Sequence, residues 1–334
     1  MVTQLDVARR AGVSRRTVSN VVTDFPYVRE EVRLRVQRAI EELGYIPNRA
    51  AQRLRTGRSG LIALLVPELG VGYFGELGNL IVEAAAARGV GTIVAQTRGS
   101  RARELQEIER MLALQPDGLI LSPLGLTPDD LAAIDARCRV ALIGEHFVGR
   151  AGSAVAIDNH AASYEVVSHL ISIGRRRVAF LGVTDDAPRF MSLRRDGCLA
   201  ALRDAGLEQA RDVPTDAYEF RDGFESGVRL AEEIRGGAAI DAVFCVTDEL
   251  AIGLMRALHD VGLRVPQDVA VAGFDDIEEG RYSTPRLTTV SPDKRQIAER
   301  ALGALLDDDA AAEPVEYQLQ IRESTSGPQV SLPH

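Results

Sequence analysis

Residues 3–22, TQLDVARRAGVSRRTVSNVV, decide how the first domain is read. Thr3, with Asp6 three residues on, is a capping pair. Its hydroxyl and the carboxylate each satisfy an orphan backbone N–H, which opens a helix through Ala11. Gly12 ends that helix, because glycine takes a left-handed turn at little cost. Ser14 is a second N-cap, for a helix running to about Val22. Ala8, Gly12 and Val18 stand where a helix-turn-helix needs a small residue, a turn glycine and a core residue. Arg15, Arg16 and Asn20 then fall near the exposed face of the second helix. Arginine pairs bidentately with guanine and asparagine with adenine in a major groove. A plain helical hairpin with surface arginines is the other reading of these residues alone.

Outward from this stretch, Asp24-Phe25-Pro26 reads as a loop. A third helix is expected over about Glu30 to Leu43, with Val32, Val36, Ile40 and Leu43 on one face and Gly44 closing it. Residues 47–58, PNRAAQRLRTGR, have proline at the start and glycine near the end of a short helix. So short a helix is marginal alone and would order against a partner. Residues 1–58 hold 12 arginines and six acidic residues, a net charge of +6. The whole chain of 334 residues carries -9, so the remainder, with 27 basic and 42 acidic residues, carries -15. A basic head on an acidic body points to a polyanion partner confined to one end.

From residue 60 the pattern changes. Apolar runs at Leu61–Val66, Thr92–Ala95, Gly118–Leu121, Val140–Ile143, Val178–Leu181, Ala242–Val246 and Val269–Gly273 read as buried strands. Helical stretches lie between them, at about 74–89, 102–114, 128–137, 160–173, 191–205, 223–235, 249–262 and 293–306. Such alternation builds parallel sheets covered on both faces. So long a series fits two doubly wound lobes, whose ligands sit at the strand C-termini or between the lobes. The fold expected is an all-α helix-turn-helix head on an α/β core of two parallel-sheet lobes.

Cys138, Cys198 and Cys245 form no CxxC pattern, so neither a disulfide framework nor a zinc site follows. The N-terminus has no apolar h-region, and no run of about 18 apolar residues exists. No secretory signal and no membrane span are expected, and a cytoplasmic location is. Gly70-Val-Gly72-Tyr-Phe-Gly75 spells GxGxxG, but Pro67-Glu68-Leu69 separate it from its strand. The second strand, ending at Gln96-Thr97-Arg98, offers no acid for a ribose. The loop is expected instead to let backbone approach a ligand. There is no GxxxxGK[ST], HExxH or GxSxG motif, and the five histidines form no ligand cluster. No cofactor, metal or catalytic constellation is therefore expected.

The head, third helix and short basic segment resemble the lactose-repressor (LacI/GalR) family. The resemblance continues through GLIALLVPE, PDGLIL, AVAIDN, DAVFCVTDELAIGLMRAL, GLRVPQDVAVAGFDD, RLTTV and IRES, and so covers essentially the whole chain. It implies a homodimer whose heads bind a near-palindromic double-stranded DNA operator. The DNA-binding residues it implies are Thr3, Ser14, Arg15, Arg16, Thr17, Asn20, Asn48, Ala51, Leu54 and Arg55. Leu54 corresponds to a leucine wedged into the minor groove, at a cost in unstacking recovered through contacts to the bent duplex. Position 20 is often arginine in the family; Asn20 here leaves the operator sequence open. The implied domains are a head over 1–46, a hinge helix and linker over 47–59 and a periplasmic-binding-protein-like core over 60–334. One core lobe would be about 60–158 plus 290–318, the other about 159–289 plus 319–330.

The family's effector cleft maps onto Arg194, three residues before Gly197, and Asp275, after Gly273-Phe274. Thr247 replaces the family's asparagine, Tyr218 falls at an aromatic stacking position and Phe74 at an apolar contact of the other lobe. Glu145 and His146, after a strand, are placed to line the cleft. An arginine fork with a carboxylate holds vicinal hydroxyls well, so a sugar or nucleoside-like effector is implied. A structural ion pair is the other reading of Arg194 and Asp275, and core packing that of Tyr218 and Phe74. A solute-binding protein or an enzyme could share this core, since fold does not fix function. The first needs a signal and no basic head; the second needs a catalytic constellation. No leucine heptad tail is present, so no coiled-coil tetramer is expected.

Overall fold

Helix α1 (Gln4–Ala11) starts at Thr3, whose hydroxyl accepts from the Asp6 N–H while the Asp6 carboxylate accepts from the Thr3 N–H. Gly12 ends it at φ 64°, in the left-handed region. Helices α2 (Arg15–Val22) and α3 (Glu30–Leu43) follow. Val7, Ala8, Val18 and Val36 close the small core of this head and are all buried. The computed structural model describes residues 2–22, 25–45, 58–144, 154–183, 188–307 and 314–327. Two compact units divide between Gly60 and Leu61.

The second unit holds two sheets. In the first lobe the strands are β1 (Leu61–Val66), β2 (Gly91–Gln96), β3 (Leu119–Leu121), β4 (Val140–Ile143) and β5 (Ala154–Val155), in the order β2-β1-β3-β4-β5 and all parallel. Helices α4 (Gly72–Ala87), α5 (Arg101–Ala113) and α6 (Pro128–Asp135) connect them. The central strands β1, β3 and β4 are buried almost throughout. That burial explains why they read as unbroken apolar runs rather than alternating ones.

The second lobe contains α7 (Asn159–Ser172), β6 (Val178–Leu181), α8 (Arg189–Asp204), β7 (Arg211–Val213), α9 (Phe220–Arg235) and β8 (Ala242–Cys245). It continues through α10 (Asp248–Asp260), β9 (Ala270–Phe274), α11 (Glu278–Tyr282) and β10 (Thr288–Pro292). Its sheet order is β11-β10-β9-β8-β6-β7, where β11 (Tyr317–Gln320) is the one antiparallel member and α13 (Glu323–Ser326) follows it. Helices α9 and α10 lie so close that a Cβ on Gly253 would stand 2.1 Å from the Phe220 carbonyl oxygen.

Three chain passages join the lobes. The first runs from β5 to α7. The second leads from β10 into α12 (Lys294–Leu306), which packs against α4 of the first lobe. The third returns to β11. The passages are tied to one another: the Val315 N–H donates to the Ala156 carbonyl and the Asp293 N–H to the Glu316 carbonyl, each at 2.9 Å. Strand β10 stays in the second sheet through Pro292, which pairs with Tyr317. The lobe crossings therefore lie a few residues inside the expected 290 and 318, because the antiparallel ladder extends the second sheet at both points.

Candidate functional site

In the head, Arg15 and Arg16 are exposed at the start of α2, as a base-reading pair requires. Ser14 and Thr17 are engaged locally. The Ser14 hydroxyl accepts from the Thr17 N–H at 3.1 Å, and the two hydroxyls lie 2.9 Å apart. Thr3 is exposed but serves as the α1 cap. Asn20 is half-buried, and Arg15 Nε reaches Gln4 Oε1 at 3.4 Å. The expected hinge contacts Asn48, Ala51, Leu54 and Arg55 lie outside the described residues.

In the core, a cavity of about 350 Å³ opens between the lobes. Five of the residues expected there line it together: Phe74, Arg194, Tyr218, Thr247 and Asp275. Glu145 and His146 lie outside the described residues. Tyr73, Asn159 and Phe190 also line the cavity, and sequence reasoning did not find them. Of the GxGxxG loop, it is the side chains of Val71, Tyr73 and Phe74 that face the cavity, while the Gly72 N–H points at Glu249 of the other lobe.

Arg194 anchors the polar end. It projects from α8 and is only 6% exposed. Its Nε donates to Asn159 Oδ1 at 2.8 Å, one terminal nitrogen donates to the Val246 carbonyl and the other reaches Asp275 Oδ1 at 3.4 Å. The guanidinium centre lies 3.4 Å from the Phe274 ring centroid and 5.3 Å from that of Phe190. Two rings thus fix its plane while three acceptors fix its edge. Asp275 follows β9 with a φ of 109°, a strained conformation that aims its carboxylate at Arg194. The ion pair expected as the alternative is therefore present, and both of its members line the cavity.

Burial sets the electrostatics here. It pushes the Asp275 carboxyl above its usual range, against the pull of Arg194 and Lys294, and draws the Arg194 guanidinium down against the pull of Asp275. The Tyr73 phenol is pushed up by burial and then by Asp275, and burial also lifts that of Tyr218. Thr247 caps α10, its oxygen accepting from the Leu250 N–H at 3.4 Å. Thr247 thus serves as the helix cap and presents a shorter polar group than an asparagine would.

Two contacts on α4 join the lobes beside the cavity. The Gly72 N–H donates to Glu249 Oε1 at 3.2 Å. Glu76 accepts from the Glu278 N–H at 2.9 Å and pairs with Lys294. Burial, and then Asp275, raise the Glu249 carboxyl to about 7. Among the described residues no helix is long and apolar enough to cross a membrane.

Comparison with known proteins matches residues 3–48 to the family described as bacterial regulatory proteins, lacI family. Residues 167–325 match a periplasmic binding protein-like domain. The chain is 32% identical over 312 residues to the HTH-type transcriptional regulator AscG of Escherichia coli (strain K12), covering 92% of this chain and 91% of that protein. It is 30% identical to the ribose operon repressor of the same organism, covering 92% of each. Among solved structures, the Lac repressor dimer bound to operator and the anti-inducer ONPF superposes with a TM-score of 0.84 at 27% identity. That match covers 97% of this chain and 99% of that one.

Proposed function

The chain belongs to the lacI family of bacterial regulatory proteins, a family of DNA-binding transcriptional regulators rather than enzymes, and on that premise we propose that it is an effector-responsive repressor. It acts as a homodimer in the cytoplasm on a near-palindromic operator. Arg15, Arg16 and Asn20 read the major groove, with Ser14, Thr17 and Thr3 at the backbone. Asn48, Ala51 and Arg55 support the hinge, and Leu54 enters the minor groove.

A sugar or sugar-like effector occupies the interlobe cavity and releases the operator. Release requires that the two states of the core differ in effector affinity. Among the contacts that such a difference would change are the Gly72 N–H with Glu249 and Glu76 with the Glu278 N–H, which join the lobes beside the cavity. The observation that carries the reading is the pairing, in one chain, of exposed arginines on a helix-turn-helix with a cavity built around Arg194 and Asp275.

Selection of bound duplexes from a random DNA pool by the full-length protein at about 150 mM salt tests it, because non-specific binding is weak there. An enriched palindrome supports the repressor. No enrichment, with or without a metabolite mixture, would remove the head's sequence-reading role. An operator affinity that rises with ligand would reverse the sign of the response.

A further inference from the structure

We propose that Glu76 and Lys294 of the first lobe form a clasp that grips the turn 276–278 of the second lobe, and that these two positioning residues set how readily the core opens. The clasp is a property of the core itself and stands whatever the cavity binds. Only its bearing on the response rests on the effector reading given above: the clasp enters the balance between closed and parted lobes on which an effector acts.

Lys294, the first residue of α12, is only 8% exposed although it carries an ammonium group. It is the one lysine among the 39 lysines and arginines of the chain. Its Nζ pairs with the Glu76 carboxylate on α4 and donates to the Asp276 carbonyl at 3.0 Å. The first acceptor belongs to its own lobe, the second to the other. An ammonium points its three N–H groups in diverging directions and so serves acceptors on two bodies, whereas a planar guanidinium fork suits one flat acceptor. The Glu76 carboxylate repeats the arrangement. One oxygen pairs with Lys294, and the other accepts from the Glu278 N–H of the second lobe at 2.9 Å. A single ion pair of the first lobe thus takes a carbonyl and an N–H from three consecutive residues of the second.

The gripped turn is anchored throughout in its own lobe. The Asp275 N–H donates to the Val290 carbonyl at 2.9 Å, and the Ile277 N–H to the Asp248 carboxylate at 3.0 Å. The Asp276 carboxylate accepts from Ser291, Arg281 and Arg322 at 2.6 to 2.9 Å. So many anchors hold two non-glycine residues, Asp275 and Asp276, at φ 109° and 48°. A pull on this turn is therefore a pull on the whole second lobe. The lobes meet closely here: a Cβ on Gly72 of α4 would stand 3.2 Å from the Cβ of Ile277.

Two backbone amides report on the contact between the lobes. Gly72 and Glu278 are each the first residue of a helix, where no carbonyl of that helix accepts from the N–H. Each N–H donates instead across the lobes, to Glu249 and to Glu76. Parting of the lobes gives both to water. The Gly72 N–H donates to neither member of the clasp, so a change at Glu76 or Lys294 reaches it only through the lobes.

Hydrogen–deuterium exchange of the full-length protein, resolved to single amides, tests the clasp. In the parent, Gly72 and Glu278 are expected to be protected to a similar degree, since one opening frees both. Lys294→Met keeps the apolar stem and removes the ammonium. It is expected to speed exchange at both amides by at least about 10-fold, the factor carried by one charge-assisted hydrogen bond. Glu278→Pro removes the donor that Glu76 accepts from. Proline suits the first helical position, and Ile277 before it already has φ -73° and ψ 155°, as a residue preceding proline requires. This variant is expected to speed exchange at Gly72 likewise. In both, the amides of Leu64 in β1 and Phe180 in β6, which are buried, are expected to keep the parental rate.

A parental rate at Gly72 in either variant, with Leu64 and Phe180 still protected, overturns the clasp. Unprotected Gly72 and Glu278 in the parent overturn it outright. If Lys294→Met loses protection throughout the chain, Glu278→Pro decides alone. None of these outcomes needs an effector or an operator, so failure of the clasp and failure of the effector reading are told apart.

Discussion

The Gly72 N–H, at the first residue of α4, donates to the Glu249 carboxylate across the two lobes at 3.2 Å. The second oxygen of that carboxylate is buried without a hydrogen-bond partner. A charged carboxylate with one satisfied oxygen is poorly solvated, which is why burial, and then Asp275, lift it to about 7 from 4.5. The carboxyl of Glu279 pushes in the same direction as that of Asp275, against the Gly72 N–H.

A pH dependence follows. In the folded chain Glu249 holds its proton up to about pH 7, whereas the unfolded carboxyl releases it near 4.5. The stabilisation is full below the lower value and is lost as pH rises through the upper one. Glu249→Gln is therefore expected to match the parent protein at pH 5 and to be more stable by on the order of 2 kcal/mol at pH 8. Thermal melts at the two values check this; equal melting temperatures at pH 8 would refute it.

Removing Arg194 leaves Asp275 buried without its partner. Arg194→Met is expected to cost about 3–5 kcal/mol, measured by chemical denaturation. The double variant with Asp275→Asn is expected to recover a large part of that loss, since no buried charge remains uncompensated. Neither variant is expected to respond to effector. A double variant as unstable as the single one would mean that stacking between Phe190 and Phe274, not charge, dominates at this position.

Arg15→Ala and Arg16→Ala are expected to weaken operator binding by about 1–3 kcal/mol each and to relax the preference at one base position apiece. Both side chains are exposed, so the melting temperature should not change. A uniform loss over all sequences would assign the residue to phosphate contact instead.

Gly253→Ala places a methyl group 2.1 Å from the Phe220 carbonyl oxygen. Helices α9 and α10 must then separate, at a cost of about 3 kcal/mol. A melting temperature within a degree of the parent's would show that the helix pair is free to shift.

Legibility in the sequence followed apolar composition: β10 (Thr-Thr-Val-Ser-Pro) is buried almost throughout, yet no apolar run announced it. Strands β1, β4 and β6 begin and end as their apolar runs do, because sheet interiors demand such runs and the flanking residues break them. Strands β7 (Arg-Asp-Val) and β11 (Tyr-Gln-Leu-Gln) lie at the edges of the second sheet and carry polar side chains, so no apolar run announced them. β5 is two residues long. At the cavity, Arg194 and Asp275 were legible through the family resemblance. Asn159 was not, although it stands within the quoted AVAIDN: only the turn from the first lobe passage into α7 brings its amide to Arg194, and no spacing records that turn. Tyr73 was passed over for its neighbour Phe74, yet both side chains line the cavity from the first turn of α4.

The three passages between the lobes, tied by backbone hydrogen bonds from Val315 to Ala156 and from Asp293 to Glu316, have a mechanical consequence. Three parallel tethers laced together resist sliding and shear, but they bend as one strip. Bending about this strip is the relative motion of the lobes that these bonds oppose least. The core then works as a lever, in which a small angular change at the strip becomes a larger linear displacement with distance from it. Any change of angle at the strip moves most the edge farthest from it.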